Sequence, residues 1–305
     1  MNEYISGKIY VVTGATSGIG LAIAEELVRQ GASVIGVGRS KERCSTAEEH
    51  LRTIDTEARV NYICADLSLQ SQVRWLASQI REVLASQGIF HLDGLVNNAG
   101  TFTYWQILSL EGFETQWAVN HLAPFLLTNE LLPLLKASPT AKVVTVSSDS
   151  HYSARLDWND IQLRRHYNGL RAYEQTKLAN VLFTLELNRR LGEDSSVRAY
   201  AADPGLVKTD IGLKDTSAPV RWIWKLRRAG GVSPEKSARG IVLLLSEPTV
   251  EDSKAIYWKD GKPKQPGAQA LDVRSAGRLW ALSEQMCRIQ TVTEQETKDE
   301  QLASL

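Results

Sequence analysis

Tyr173 and Lys177 are the residues whose types and spacing most directly suggest chemistry in this chain of 305 residues. On a helix, residues four apart lie on the same face, about one turn from each other. A phenol has a pKa of about 10, too high for proton exchange at neutral pH, but a neighbouring ammonium favours the phenolate. The pair could therefore act as a general acid and base. Such pairs are also common on helix surfaces, so the assignment depends on the rest of the chain.

A glycine-rich turn supplies the first part of that context. The segment Thr13-Gly14-Ala15-Thr16-Ser17-Gly18-Ile19-Gly20 lies between a predicted strand and a predicted helix. Glycines permit tight turns and let backbone N–H groups approach a pyrophosphate, and the helix N-terminus adds about half a positive charge there. The alternative is an ordinary loop between a strand and a helix. The position directly after the first strand favours nucleotide binding.

The elements that must position these residues alternate along the chain. Strands are predicted from short apolar runs at 9–12, 33–37, 60–64, 92–96, 142–147 and 197–201. Helices are predicted at 19–29, 42–54, 71–84, 113–135, 172–190, 233–246 and 271–289. Strands that are apolar on both faces and separated by helices indicate right-handed βαβ units. We therefore expect a single α/β domain over 1–290, with a doubly wound parallel sheet flanked by helices, and a polar tail over 291–305.

Composition excludes several functional classes. Lys and Arg number 35, as do Asp and Glu, so the formal net charge is zero and no nucleic-acid-binding surface is expected. The three cysteines have no metal-ligand spacing and cannot form a disulfide framework, which predicts a reducing compartment and no metal site. The sequence lacks a signal-peptide pattern, and no apolar run reaches the roughly 18 to 20 residues of a membrane span. A soluble, cytoplasmic protein is expected.

Further motifs follow the predicted strands in order, and together they carry a resemblance to a known family. They are Asp66-Leu67, Asn97-Asn98-Ala99-Gly100, Asn120, Ser147-Ser148, Tyr173-Glu174-Gln175-Thr176-Lys177 and Pro204-Gly205. With the Gly-x-x-x-Gly-x-Gly turn, this order resembles the short-chain dehydrogenase/reductase family over about 240 residues. The resemblance implies a single-domain Rossmann fold. It also implies direct hydride transfer between nicotinamide C4 and a carbonyl or carbinol carbon, without a metal.

The resemblance assigns catalytic roles to four residues. Tyr173 would exchange the proton, Lys177 would hold the nicotinamide ribose, and Ser148 would bind the substrate oxygen and stabilise its developing charge. The choice of Ser148 over Ser147 also comes from the resemblance. Asn120 would hold a water that relays protons from Lys177, and its alternative role is a structural hydrogen bond inside a helix.

The resemblance also assigns contacts with a dinucleotide. Asp66 would bind the adenine amino group, Asn98 would line the adenosine ribose, and Val207 and Thr209 would bind the nicotinamide carboxamide. The full set of expected cofactor residues is Gly14, Thr16, Ser17, Gly18, Ile19, Gly20, Arg39, Asp66, Leu67, Asn98, Ala99, Gly100, Tyr173, Lys177, Pro204, Gly205, Val207 and Thr209.

The end of the second strand bears on which dinucleotide binds. Val37-Gly38-Arg39-Ser40 has no carboxylate of the kind that binds the ribose hydroxyls of NAD. Arg39 could instead pair with a 2′-phosphate, because a guanidinium presents a planar fork of donors. NADP(H) is therefore expected over NAD(H), and a solvated surface arginine is the alternative. The oxidised nicotinamide would join Lys177 in lowering the pKa of Tyr173, by about 3 units.

An inserted segment points to one branch of the family. Tyr173 lies 25 positions after Ser148, whereas about 13 is common in the family, so about a dozen residues are inserted. This insertion and Lys177-Leu178-Ala179-Asn180-Val181-Leu182-Phe183-Thr184 resemble the retinol dehydrogenase-like branch. Asp203 departs from that branch, which often has His there, so retinol itself is not predicted as substrate.

Two segments are expected to form the substrate pocket. Residues 149–172 carry His151, Tyr152, Trp158, His166 and Tyr167, some of which would wall it, and His151 is either a second proton donor or a packing residue. Residues 211–231 would form a lid, or alternatively a membrane-surface helix through 220–228. The aromatic content favours a lipophilic alcohol, aldehyde or ketone.

Other interpretations of the function stay open. A non-catalytic NADP(H)-binding sensor could use the same fold, although a sensor would be free to lose the four catalytic residues that this chain keeps. An epimerase or dehydratase would favour a different glycine spacing and a larger substrate domain. The long helices predicted at 113–135 and 172–190 often form dimer faces in the family, so a homodimer is a further expectation.

Overall fold

The central sheet has eight strands: β1 (Ile9–Thr13), β2 (Ser33–Gly38), β3 (Val60–Cys64), β4 (Gly94–Asn97), β5 (Ala141–Val146), β6 (Val197–Asp203), β7 (Tyr257–Lys259) and β8 (Lys262–Pro263). The computed structural model describes residues 4–205, 232–246, 250 and 253–289. The strand order is β3-β2-β1-β4-β5-β6-β7-β8, and every neighbouring pair is parallel except β7 with β8. This order confirms the predicted doubly wound parallel sheet in a single α/β domain.

Helices cover both faces of the sheet. They are α1 (Gly18–Arg29), α2 (Lys41–Ile54), α3 (Gln70–Ser86), α4 (Thr115–Trp117), α5 (Ala123–Lys136), α6 (Gly169–Leu191), α7 (Pro234–Ser246) and α8 (Val273–Cys287). In β1, Ile9 and Val11 belong to the hydrophobic cluster that includes residues of α3, α5, α6 and α8, whereas Tyr10 and Val12 belong to the cluster that includes residues of α1 and α7. The alternation buries both faces of the strand, which is why these strands read as continuous apolar runs.

The predicted helix at 113–135 is interrupted. Between α4 and α5 the backbone forms a π turn at Ala118–Leu122, with Pro124 directly after the first residue of α5. Proline has no N–H, so the carbonyl of Asn120 cannot receive the usual bond from four residues later, which agrees with the wider turn. Apolar periodicity cannot distinguish a π turn from an α-helix, so the sequence did not predict it.

Other predicted elements begin and end within three residues of the observed ones. The sequence prediction missed β7 and β8, which are three and two residues long. Both are too short for an alternating pattern and depend on pairing with β6 and with each other. Among the described residues, no helix has the length and apolar content that crossing a membrane requires.

The C-terminal helix α8 packs on the helices that the family resemblance assigns to a dimer contact. The indole of Trp280 lies 4.9 Å from the ring of Phe125 in α5 and 5.8 Å from that of Phe183 in α6, between centroids. The guanidinium of Arg190 lies 4.4 Å from the Trp280 ring. Part of each helix face is thus covered by the chain itself, and the homodimer stays a prediction.

Replacing Trp280 with alanine should lower the free energy of unfolding by about 3 to 5 kcal/mol, because it removes a buried indole and leaves a cavity between α5, α6 and α8. Urea unfolding followed by circular dichroism measures the change. Trp75, whose side chain is 43% exposed, is the matched control, and Trp75→Ala should cost less than about 1 kcal/mol. Equal losses in the two variants would contradict the packing role of α8.

Candidate active site

The carboxyl ends of β1, β4 and β5 bring the predicted motifs to one edge of the sheet. Gly100, which follows β4, lies at their meeting point. A methyl group added there would be 3.6 Å from Oδ1 of Asn120 and 4.0 Å from Nζ of Lys177. Residues far apart in the chain therefore converge on the space in front of Gly100.

The glycine-rich turn has the geometry of a phosphate cradle. Gly14 has φ +68°, a conformation that favours glycine. A methyl group on Gly20 would lie 2.2 Å from the carbonyl oxygen of Gly14 and 2.4 Å from Nδ2 of Asn98. Helix α1 begins after Ser17 without a side-chain cap and without an acidic residue in its first turn. Its first N–H groups and its dipole are thus available to an anion, which fits a dinucleotide pyrophosphate.

Thr13 joins this turn to the loop after β4. Its Oγ1 donates to the carbonyl of Val96 at 3.3 Å and accepts the N–H groups of Asn98 and Ala99, both at 3.0 Å. The amide of Asn98 returns a bond to the carbonyl of Thr13 at 2.8 Å. Sequence reasoning placed Thr13 in the motif but gave it no role. A hydroxyl at the end of an apolar strand was the available signal.

Arg39 lies exposed immediately after β2. A second arginine, Arg43, lies in the first turn of α2, and its Nη2 is 3.5 Å from the carbonyl of Thr16 in the glycine-rich turn. Sequence reasoning missed Arg43, although a basic residue one turn into the helix after β2 could have indicated it. On the far side, Asp66 uses Oδ1 to accept the N–H of Ser68 at 2.9 Å, and Leu67 packs against the core.

The predicted Tyr–Lys pair lies on α6 as expected from its spacing. Nζ of Lys177 is 5.3 Å from the centroid of the Tyr173 ring and donates to the carbonyl of Val146 at 3.0 Å. Ser147 is buried and donates to the carbonyl of Lys177 at 2.8 Å, so its hydroxyl holds the helix against β5. Ser148 accepts the N–H of Ser150 at 3.3 Å, which leaves its proton free for another acceptor.

Within the chain itself, burial and Asp203 also act on the pair. Burial raises the pKa of Tyr173, and the carboxylate of Asp203 raises it further. Burial lowers the pKa of Lys177 to about 8, against the opposing effect of Asp203. Desolvation, which the number of nearby cations does not reflect, has the largest effect on Tyr173 in the folded chain. The chain's own groups therefore do not produce the predicted lowering of the pKa of Tyr173.

Asn120 makes structural hydrogen bonds from the π turn. Its Oδ1 accepts the N–H of Thr101 at 2.7 Å, and its Nδ2 donates to the carbonyl of Thr101 at 2.9 Å and to Oγ1 of Thr176 at 3.2 Å. These bonds fasten the loop after β4 to α6. They correspond to the structural alternative considered for this residue, and its role in holding a water stays a prediction.

The start of the inserted segment is tied to the body of the protein. Residues Asp149–Tyr152 form a 3₁₀ helix, and α6 already begins at Gly169. His151 is buried, with Nδ1 2.8 Å from the carbonyl of Ser148, and its Nε2 accepts the N–H of Gly267 at 3.0 Å. Because burial lowers its pKa and both nitrogens are engaged, the geometry favours packing over a second proton donor.

Other aromatic residues of this segment also make contacts within the fold. Trp158 lies under the guanidinium of Arg278 at 4.3 Å, and the hydroxyl of Tyr167 donates to Glu114 at 2.9 Å. His166 is exposed. An aromatic residue that sequence reasoning missed is Phe102, whose ring lies edge-to-face to Tyr173 at 5.8 Å.

The turn after β6 completes the described part of the site. Gly205 has φ +75°, and its N–H donates to Oδ1 of Asp203 at 2.9 Å. The carbonyl of Pro204 accepts the hydroxyl of Ser237 at 2.6 Å. Val207 and Thr209, the expected lid at 211–231 with its 220–228 stretch, and the expected tail at 291–305 lie outside the described residues.

Comparisons with known proteins agree with this geometry. Residues 8–219 match the family model for short chain dehydrogenases. Retinol dehydrogenase 13 of Homo sapiens is 36% identical over 290 residues, covering 92% of this chain and 84% of that protein. A solved structure of an uncharacterised protein from Mycobacterium paratuberculosis has a TM-score of 0.69 and 34% identity, covering 93% and 94% of the two chains. The structure of L-sorbose reductase from Gluconobacter frateurii with NADPH and L-sorbose has a TM-score of 0.66 and 25% identity, covering 88% and 99%.

Proposed function

Because this chain belongs to the short-chain dehydrogenase family, in its retinol dehydrogenase-like branch, we propose that it interconverts an alcohol and a carbonyl group with NADP(H). The proposed substrate is a lipophilic alcohol, aldehyde or ketone, which the name of the retinol dehydrogenase relative supports. The observation that carries the proposal is the convergence of Asn120 and Lys177 on the space at Gly100, with Tyr173 on the same helix face.

The positions of the side chains support the catalytic roles that the family resemblance implies. Tyr173 would exchange the proton of the substrate oxygen, and the free proton of Ser148 would stabilise charge on that oxygen. With a pKa lowered to about 8, Lys177 is still mostly protonated at neutral pH and keeps a positive charge beside the Tyr173 ring. The dinucleotide would supply the hydride chemistry at its nicotinamide. The glycine-rich turn, Asn98 and the Pro204-Gly205 turn would hold it.

Turnover by the purified protein tests this proposal. NADPH oxidation should be observed with members of a panel of lipophilic aldehydes and ketones, and NADP+ reduction with the corresponding alcohols. The sensor alternative expects NADPH binding, measured by nucleotide fluorescence, without turnover across the panel. Binding without turnover would therefore favour the sensor.

Arg39 and Arg43 are proposed to select the 2′-phosphate of NADP(H). Arg39→Asp should weaken NADPH binding by at least about 10-fold and improve the use of NADH, because a charge-assisted bond is replaced by repulsion. Arg43→Asp should act in the same direction. Fluorescence titration with each nucleotide measures the change.

Arg274 provides the matched control for these variants, because it is an exposed arginine in the first turn of another helix, α8. Arg274→Asp should leave the preference between NADPH and NADH unchanged. If Arg39→Asp also left the preference between NADPH and NADH unchanged, the assignment of NADP(H) over NAD(H) would lose its basis.

Three properties stay predictions of the sequence. They are a homodimer, a cytoplasmic location, and a lid over 211–231, whose alternative is a weak membrane-surface contact through 220–228. Liposome co-sedimentation tests the membrane contact, and analytical ultracentrifugation tests the dimer.

A further inference from the structure

Two carboxylates and two lysines form an ion network beside the candidate active site. Asp203 at the end of β6 pairs in register with Lys259 of β7, whose Nζ lies 3.1 Å from Asp203 Oδ2. The same ammonium contacts Oδ2 of Asp149, and Nζ of Lys264 is 2.7 Å from Oδ1 of Asp149. Asp149 directly follows Ser148. The network therefore joins the serine segment to the Pro204-Gly205 turn.

Asp203 points toward the helix that carries Tyr173 and Lys177. Ala201 and Tyr257 pair in register and pack in the hydrophobic layer that contains α6. Because side chains alternate along a strand, Asp203, two residues after Ala201, faces the same side. Its buried carboxylate thus lies on the α6 side of the sheet.

The anchor of Lys177 is close to Asp203 in the sheet. Nζ of Lys177 donates to the carbonyl of Val146, and Val146 pairs in register with Ala202, the residue before Asp203. The N–H of Ser147 also donates to the carbonyl of Ala202, at 2.7 Å. A change of charge at Asp203 therefore occurs next to the backbone that holds both the ammonium and the serine segment.

We propose that Asp203 is a positioning residue whose carboxylate, held by the Lys259–Asp149 network, sets the protonation of the Tyr173–Lys177 pair. The buried carboxylate of Asp203 disfavours the phenolate form of Tyr173 and favours the ammonium form of Lys177. The positive charge of Lys259 partly offsets the charge of that carboxylate. The proposal rests on the proposed function, because it concerns the proton that Tyr173 would exchange with the substrate oxygen.

The electrostatics of the fold support this assignment. Burial has the largest effect in raising the pKa of Tyr173, and the charge of Asp203 has the second largest. The same charge opposes the lowering of the pKa of Lys177 by burial. Burial and the nearby Asp149 raise the pKa of Asp203 itself. Burial also works to raise the pKa of Asp149, but the bonds from Lys259 and Lys264 hold it well below its usual range.

Several other titratable or charged groups lie on the elements around the Asp203 carboxylate and interact with its charge. The titratable and charged residues from the elements packed around it are Asp149, His151, Tyr173, Lys177, Tyr257, Lys259, Asp260 and Lys264. Tyr257 belongs to the network itself, because its hydroxyl donates to Oδ1 of Asp149 at 3.1 Å.

The test is a pH titration of the Tyr173 phenol in the full-length protein with NADP+. Phenolate absorbance of each variant is compared with that of the same variant carrying Tyr173→Phe, so that the difference reports Tyr173. Asp203→Asn should lower the midpoint by about one pH unit, because it removes a nearby negative charge. In a plot of the rate of alcohol oxidation against pH, the rising limb should also shift to lower pH.

Further variants separate the effect of charge from that of structure. Asn at 203 can still accept the N–H of Gly205, and Asp203→Ser serves the same test should the amide variant fail to fold. Asp203→Glu keeps the charge and should restore the midpoint to that of the parent. Asp194→Asn, a charge removal at an exposed residue before the amino end of β6, should not change the midpoint.

The outcomes distinguish this proposal from the proposed function. An unchanged midpoint in Asp203→Asn, or equal shifts in the Asn and Glu variants, would overturn the role of Asp203. The absorbance titration needs no turnover, so a shifted midpoint in a protein without turnover would count against the proposed function alone.

Discussion

Tyr173→Phe should lower kcat by about 100- to 10,000-fold, because it removes the group that exchanges the proton of the substrate oxygen. The change deletes one oxygen and keeps the ring. The edge-to-face contact with Phe102 at 5.8 Å and the contact with the Lys177 ammonium at 5.3 Å can therefore persist. The affinity for NADPH should stay within about twofold of the parent, since the glycine-rich turn proposed to bind the phosphates is untouched.

Steady-state turnover and fluorescence titration with NADPH measure these two quantities separately. Tyr152 is the matched control, because it lies in the 3₁₀ helix that follows Ser148 and its hydroxyl donates to the carbonyl of Gln265. Tyr152→Phe should keep most of the parent kcat. A Tyr173→Phe protein with turnover within about tenfold of the parent would refute the proposed general acid and base.

Gly20→Ala should weaken NADPH binding by at least about 10-fold and lower the free energy of unfolding by about 1 to 3 kcal/mol. The added methyl group would lie 2.2 Å from the carbonyl oxygen of Gly14, so the backbone of the turn has to move. The amide of Asn98, 2.4 Å from the same position, would have to move with it. Both groups belong to the proposed pyrophosphate cradle.

Gly277→Ala is the control for this variant. Gly277 lies inside α8, and among the described residues a methyl group there would meet no atom within 4 Å apart from its chain neighbours and the backbone of its own helix. Alanine is favoured over glycine in a helix interior by about 1 kcal/mol, so this variant should be as stable as the parent or more stable. Nucleotide titration and urea unfolding measure both variants. Parent-like NADPH affinity in Gly20→Ala would show that the turn does not cradle the dinucleotide.

The six strands β1 to β6 and the parallel class of the sheet could be predicted because their signals are local. Strand β1 reads as apolar on both faces since each face is covered by helices, and the glycine-rich turn directly follows it. The π turn at Ala118–Leu122 was not predictable, because its apolar residues fit an α-helix equally well. Strand β7 forms through pairing with β6, which is distant in the sequence, and β8 is a two-residue strand that pairs only with β7.

The site was predictable in its residue types and less so in its interactions. The sequence indicated Asn120 as a candidate, but only the fold shows that its amide bonds Thr101 and Thr176. Arg43 escaped notice because its closeness to Thr16 comes from the packing of α2 against the turn. These contacts join residues that are far apart along the chain.

The sequence by itself determined the parallel α/β architecture and the Tyr173–Lys177 face of one helix. Strand alternation and helical spacing follow from backbone geometry, which needs no knowledge of distant residues. The tertiary structure decided the electrostatics of that face: burial raises the pKa of Tyr173, and Asp203 adds to the effect. Desolvation and charge interactions depend on distances in space, which only the folded chain defines.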